Sequence, residues 1–241
     1  MPAGPDPADP PRGGGWRWRA GVLAACVVVA LAVAWYVGAR SAPQAPPPPP
    51  GSVRLGPEAG EDVAAYLGRL PAELPPAGAR APALVQFGAA LMTAAALDAT
   101  AGTTPLTAVF QVPIDRVQTA LRFEALEPGV VPATAIDSAR ARAQRAAEAT
   151  GATGGPDGGR AAAVAAAESA ALADPACPCV VALVVEADRA GLDAVAGRSG
   201  VRAVHAAPPG TTPRELALAP LLPGQVERAD PLPDDGPVPP A

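Results

Sequence analysis

Two cysteines and one histidine are the residues of this chain whose types most readily carry chemistry. A single proline separates Cys177 from Cys179, and His205 is the only histidine among 241 residues. Paired thiols can do redox chemistry, but a thioredoxin-type site has two residues between its cysteines. A ring closed between residues two apart is strained, which makes a disulfide easier to reduce. The sequence leaves three states open: a labile redox pair, a disulfide within or between chains, or two inert thiols.

The histidine is predicted to be a half-buried strand residue. A catalytic histidine needs a nucleophile and a carboxylate beside it, and Ser199 lacks the G-x-S-x-G spacing of a nucleophile elbow. The glycine-rich segment 151–159 lacks the lysine of a phosphate-binding loop, and the chain has no cluster of histidines and cysteines for a metal. We therefore predict no catalytic residue, metal site or cofactor. The alternative is a redox or hydrolytic enzyme that uses Cys177 and Cys179, or His205.

These residues lie on a predicted internal repeat. Leu97-Asp98-Ala99 recurs as Leu192-Asp193-Ala194, and several glycine, valine and proline positions match at the same offset of 95. The two copies cover about 83–113 and 178–208. Each is predicted to form a strand, a helix and a second strand, because short apolar runs flank a segment with helical periodicity.

Particular residues define the elements of each copy. Val180-Val181-Ala182-Leu183-Val184-Val185 is β-branched and continuous, as expected of a strand covered on both faces. Thr93 and Asp188 align as the caps that begin the two helices. His205 aligns with Phe110 in the return strands. Two such units sharing one sheet predict an α+β sandwich of ferredoxin-like type.

The segment between the copies is predicted to be an inserted helical hairpin, residues 133–174. Its alanine-rich helices are expected at about 136–150 and 160–173, and Asp174-Pro175 ends the second. Alternating apolar residues at 117–125 favour an extra edge strand before the insert. The whole α+β domain is expected to span residues 53–228.

A predicted transmembrane helix precedes this domain. Residues 20–39 contain no charge, and twenty residues in a helix span roughly 30 Å, the thickness of the hydrocarbon core. Aromatic and arginine side chains cluster at both ends, as at the two headgroup layers of a bilayer. The predicted interface anchors are Trp16, Trp18, Arg19, Trp35, Tyr36 and Arg40.

The apolar segment has two other interpretations, a cleaved signal peptide and a lipoprotein signal. Val37-Gly38-Ala39 satisfies the small-residue rule for signal-peptide cleavage, but the apolar run is longer than in most signal peptides. Leu23-Ala24-Ala25-Cys26 resembles a lipobox, but too few apolar residues precede it. An anchored, uncleaved helix is the favoured prediction. One face of it carries Cys26, Ala30, Ala34 and Gly38, small residues four apart that would let two copies pair into a homodimer.

Charge and composition place the remaining parts of the chain. More arginines precede the helix than directly follow it, so residues 1–19 are predicted to be a short cytoplasmic tail and the domain to be extracytoplasmic. Residues 40–52, with five consecutive prolines, form a semi-rigid stalk, and residues 229–241 are expected to be a disordered acidic tail. A net charge of −5 argues against nucleic-acid binding.

These features favour a non-catalytic protein that is a single-pass component of the bacterial plasma membrane. The arginine-only, proline- and glycine-rich composition is typical of a GC-rich bacterial genome. The anchored domain is predicted to bind or scaffold an envelope protein or ligand, with the lipid bilayer as its other partner. A second alternative is a sensor that acts through a cytoplasmic partner.

Overall fold

The computed structural model describes Val22 and residues 26–29, 52–153 and 159–240. Residues 26–29 are helical, but most of the predicted transmembrane segment 20–39 lies outside the described ranges, as do the tail 1–19 and the stalk up to residue 51. Within those ranges, no helix combines the length and the apolar character that crossing a bilayer requires. Also outside them lie the predicted anchors and three residues of the predicted pairing face: Trp16, Trp18, Arg19, Trp35, Tyr36, Arg40, Ala30, Ala34 and Gly38.

The described chain has a mixed α+β architecture built on a five-stranded antiparallel sheet. The strands of the described chain, including two outside this sheet, are β1 Val53–Leu55, β2 Arg80–Leu91, β3 Thr104–Phe110, β4 Arg122–Ala125, β5 Val180–Asp188, β6 Val201–Ala206 and β7 Leu216–Leu218. Its helices are α1 Val63–Arg69, α2 Thr93–Ala99, α3 Pro132–Thr153, α4 Gly159–Ala173 and α5 Arg189–Ala196, with 3₁₀ turns at Leu70–Glu73 and Pro213–Glu215. The sheet has the order β4-β3-β5-β2-β6, and β1 pairs with β7 in a separate parallel ribbon.

In the two strand–helix–strand units, β2-α2-β3 and β5-α5-β6, the helices and return strands correspond at an offset of 96 rather than 95. The residues that precede the two helices are Met92 and Asp188, which lie 96 positions apart. Asp188 Oδ1 accepts a hydrogen bond from the Gly191 amide at 2.8 Å, whereas Met92 has no capping side chain. Thr93 is the first residue of its helix. The predicted cap at Thr93 is therefore wrong by one residue.

The same correction changes the partner of the histidine. In β6, Val204 and Ala206 face the helices, as Ala108 and Phe110 do in β3. His205 therefore corresponds to Val109, which faces the other side of the sheet, and not to Phe110. The one-residue shift matters because successive strand residues point to opposite faces.

The helices cover one face of the sheet with a core of mostly small side chains. Phe87, Phe110 and Leu183 project from three neighbouring strands and pack with Ile136 of α3 and Leu192 of α5. Alanines fill much of the remaining space in this cluster. Small side chains bury little apolar area each, so the layer depends on close packing over many residues.

The short β1–β7 ribbon covers part of the opposite face. Leu84, Val109 and Val184 on this side pack with Leu55 of β1. Leu216 and Leu218 of β7 lie partly buried against the same cluster. Because the central strands are covered on both faces, their sequence is continuously apolar, as observed in β5.

A buried ion pair joins the helical hairpin α3–α4 to the sheet edge. Glu168 of α4 is 2% exposed; its carboxylate pairs with Arg122 of β4 and accepts a hydrogen bond from the Ala120 amide at 2.6 Å. Arg142 of α3 makes a second ion pair with Glu124 at 3.0 Å. The edge strand β4 is shorter than the predicted strand 117–125. The residues just before β4 contact helix α4 instead, through the hydrogen bond from the Ala120 amide to Glu168.

The C-terminal segment packs against the domain, which differs from the disordered tail that its composition predicts. The Gly236 amide donates to the Arg116 carbonyl at 2.7 Å, and the Gln118 amide donates to Asp234 Oδ1 at 3.1 Å. Residues 232–236 are called the acidic strap below. Prolines at 231, 233 and 237 restrict this segment, which has no helix or strand, and its composition alone therefore resembles disorder.

We expect Glu168→Gln to destabilise the domain by about 3 kcal/mol, because the buried Arg122 guanidinium loses its counter-charge. The matched control is Glu186→Gln, which breaks the exposed Arg80–Glu186 pair and should cost at most about 1 kcal/mol. Urea unfolding of both variants, followed by circular dichroism, measures the difference. Equal losses in the two variants would show that the hairpin does not depend on the buried pair.

Candidate functional site

His205 lies at the centre of a buried polar cluster on the ribbon side of the sheet. It is 7% exposed. The Gly56 amide donates to its Nδ1 at 2.9 Å, and the Tyr66 hydroxyl lies 3.3 Å from the same atom. Nδ1 is thus an acceptor, which assigns the ring proton to Nε2. Nε2 faces Glu73 Oε2 at 3.3 Å.

Gln86 extends the cluster to the C-terminal part of the chain. Its Nε2 donates to the Tyr66 hydroxyl at 2.8 Å, and its Oε1 accepts from the Leu221 amide at 2.6 Å. The four side chains Tyr66, Glu73, Gln86 and His205 are called the His205 cluster. They connect α1 and the 3₁₀ turn that follows it with β2, β6 and the chain after β7, so segments from the beginning and the end of the domain meet in one polar cluster.

Arg69 covers the outer side of this cluster. Its guanidinium lies 4.9 Å from the centre of the Tyr66 ring and pairs with Glu61 at 3.2 Å and Glu73 at 3.0 Å. The hydrogen bond from Arg69 lowers the pKa of Glu61. Burial raises the pKa of Tyr66 to about 12. Both groups therefore keep one protonation state over the physiological range.

Burial also lowers the pKa of His205, and the nearby Glu73 carboxylate only partly opposes this. The geometry agrees with the neutral ring, because a protonated Nδ1 would point a hydrogen at the Gly56 amide. Nδ1 accepts from the Gly56 amide, and Nε2 lies beside the Glu73 carboxylate. The arrangement can hold the surrounding segments together, but it presents no free base to the solvent.

The two cysteines lie in the helix-covered core. Cys177 and Cys179 form a disulfide with 5.3 Å between their Cα atoms, within the usual range for such bonds. Both belong to the buried cluster beneath the helices. Cys26 is a free thiol in the described helical residues. Of the three states that the sequence left open for the pair, the structure contains the intramolecular bond.

A groove at the end of the sheet is the site that the sequence did not reveal. Between the pairs Gln86–Ala182 and Leu91–Val180, β2 advances five residues while β5 advances two, so residues 88–90 bulge out of the sheet. The groove has a volume of about 490 Å³, and its walls are this bulge, the turn 111–117, Pro223–Gly224 and Leu232 of the acidic strap. Gly88 within an apolar strand pattern is the only sequence signal for such a bulge.

Comparison with protein-family models, with curated proteins and with solved structures finds no match for this chain. Across residues 22, 26–29, 52–153 and 159–240, no three histidine, cysteine or acidic side chains lie grouped as a metal site.

The His205 cluster predicts a loss of stability in mild acid. The folded pKa lies below the ordinary value of 6.5, so below pH 6.5 the unfolded chain binds a proton that the folded chain does not. Stability is complete above that pH and falls by at most about 1.4 kcal/mol per pH unit below it. His205→Asn keeps an acceptor near the Gly56 amide but does not titrate. We expect its stability to be nearly flat from pH 6.5 to about pH 5.

Urea unfolding at a series of pH values measures this difference. The chain has one histidine, so the slope in this interval can be assigned to a single side chain. Parallel pH profiles for the native chain and His205→Asn would contradict the assignment.

Proposed function

We propose that this chain is a single-pass, membrane-anchored protein of the bacterial cell envelope whose extracytoplasmic domain binds or scaffolds another protein without catalysis. The observation that carries the proposal is the groove beside residues 88–90, an accessible cavity with mainly apolar and backbone walls. The reactive side chains, by contrast, are engaged within the domain: His205 in its cluster and Cys177 with Cys179 in their disulfide.

The strand order supports the finer fold assignment. Leaving out the edge strand β4, the order is β3-β5-β2-β6 with every neighbouring pair antiparallel. This is the arrangement that two interleaved strand–helix–strand units make in a ferredoxin-like sheet. We propose that fold for the domain, with α3–α4 as an insertion. Folds of this type host many functions, so the fold does not by itself name the ligand.

The disulfide supports an extracytoplasmic location. Disulfides persist in oxidising compartments and are rare in the reducing cytoplasm. With the apolar segment 20–39 as anchor and the arginine-rich residues 1–19 inside, the domain would stand away from the bilayer on the proline-rich stalk. A groove held there is suited to an extended segment of another envelope protein.

Thiol counting tests the location directly. Chain extracted from membranes and denatured with an alkylating reagent should gain one label, at Cys26, and three labels after reduction, because the sequence has three cysteines. The double variant Cys177→Ser, Cys179→Ser is the control and should gain one label under both conditions. Three labels without reduction would place the domain in a reducing compartment and refute the proposal. A measured mass that corresponds to a chain cleaved after Cys26 would refute the membrane anchor.

Site-specific crosslinking tests binding in the groove. A photoreactive residue replaces Ala89 of the bulge or, as the matched control, Ala146 of α3; both alanines are exposed. We expect an adduct of defined mass from position 89 and little or none from position 146. Adding Ala90→Arg should suppress it by filling the groove. Adducts of equal yield at both positions would contradict a groove-based function.

A further inference from the structure

The acidic strap, residues 232–236, is held almost entirely by two surface arginines and one glutamine. Arg160 at the start of α4 donates to Asp234 Oδ1 at 2.9 Å and to the Gly236 carbonyl at 2.7 Å. Arg116 pairs with Asp235. The Gln118 amide and side chain bind Asp234 and the Leu232 carbonyl. These hydrogen bonds and ion pairs to the strap all come from Arg116, Gln118 and Arg160.

Arg116 lies in a tight turn with an unusual backbone conformation. Ile114 and Val117 form a β-bridge, and Arg116 between them adopts a φ of 52°, a left-handed conformation uncommon outside glycine. The arginines hold the pKa values of Asp234 and Asp235 below their usual range. The contact is therefore made between full charges at neutral pH.

Steric fit adds selectivity to the charge. A Cβ built on Gly236 would lie 2.3 Å from the Asp115 carbonyl oxygen, so this position accepts glycine alone without a shift of backbone. A Cβ on Gly224 would lie 3.1 Å from the Leu232 side chain, so Leu232 packs closely against Gly224. The surface accepts a leucine-proline-aspartate-aspartate-glycine segment, in which Pro233 restricts the unbound chain.

The strap can leave without opening the core. The side chains of Arg116, Arg160, Asp234 and Asp235 are all at least 41% exposed, and exposed pairs contribute little stability each. Leu232, however, is one wall of the groove. Release of the strap would therefore widen the groove while the folded sheet stays intact.

We propose that Arg116, Gln118 and Arg160 form a docking site for an acidic, proline-flanked segment of a partner protein, and that the chain's own strap fills this site until the partner displaces it. The inference rests on the proposed function, because the site borders the groove. Charge complementarity selects the partner: the site offers two guanidinium groups and excludes a side chain after the second carboxylate. A tethered strap acts at a high effective concentration, so the partner segment must also be concentrated locally, as between two membrane-anchored proteins.

Peptide binding in trans tests the site. The probe is a fluorescent peptide identical to residues 229–241, titrated at low salt into the full-length chain in detergent and into the variant Asp234→Asn, Asp235→Asn. We expect the variant to bind the peptide about tenfold more tightly than the native chain, because its own strap competes less. Adding Arg116→Glu to the variant should abolish binding, as should replacing both aspartates of the peptide with asparagine.

Each other outcome overturns part of the proposal. Absence of saturable binding to the Asn variant, or binding that survives Arg116→Glu, would mean that these residues are no docking site. Equal affinity of the native chain and the variant would mean that the strap does not close the site. A native dimer, seen by sedimentation and lost with Arg116→Glu, would make a second copy the occupant instead of a partner protein. Peptide binding without the Ala89 adduct would leave this site standing while removing the groove function.

Discussion

The antiparallel pairing of β2 with β5 is the contact on which the rest of the domain depends. It joins the two strand–helix–strand units at the centre of the sheet, where β5 lies between β2 and β3. From Val180 to Val185, every side chain of β5 is buried. A strand buried on both faces needs two covering layers, so the helices and the β1–β7 ribbon are both required. A one-residue slip would exchange the faces of its whole side-chain set.

Small side chains make these layers thin, and polar contacts at their seams compensate. Alanine contributes little apolar area, so the helix layer gains less per residue than a leucine-rich one would. The seam between hairpin and edge strand is held by Glu168, and the seam between ribbon side and sheet by His205 with Gln86. A buried polar group is costly unless its partners are all present. These contacts therefore specify one arrangement of the segments more than they add to total stability.

Sequence periodicity predicted the helices and strands that depend on local sequence patterns. The strand predicted at 180–185 lies within β5, and the helices of the predicted insert lie at the expected places. Matching identical residues such as Leu97 and Leu192 places the two helices one residue out of step, whereas Ala96 and Leu192 occupy equivalent buried positions in the structure. Equivalent buried positions can hold side chains of different volume, as Ala96 and Leu192 do. Residue identity is therefore a weaker guide to equivalent positions than burial is. The partners of His205 were not predictable: Gly56 is 149 residues away, and no local pattern encodes that distance.

The candidate binding surface lies where the two strand–helix–strand units differ. β2 has twelve residues and β5 nine, and the surplus of β2 forms the bulge 88–90 instead of extending the ladder. A bulge turns backbone away from its neighbour and leaves space beside the sheet. The turn around Arg116 and the acidic strap border that space, and neither has a counterpart in the second copy. The two strand–helix–strand units thus account for the central sheet, and the features in which they differ account for the groove and for the charged residues that border it.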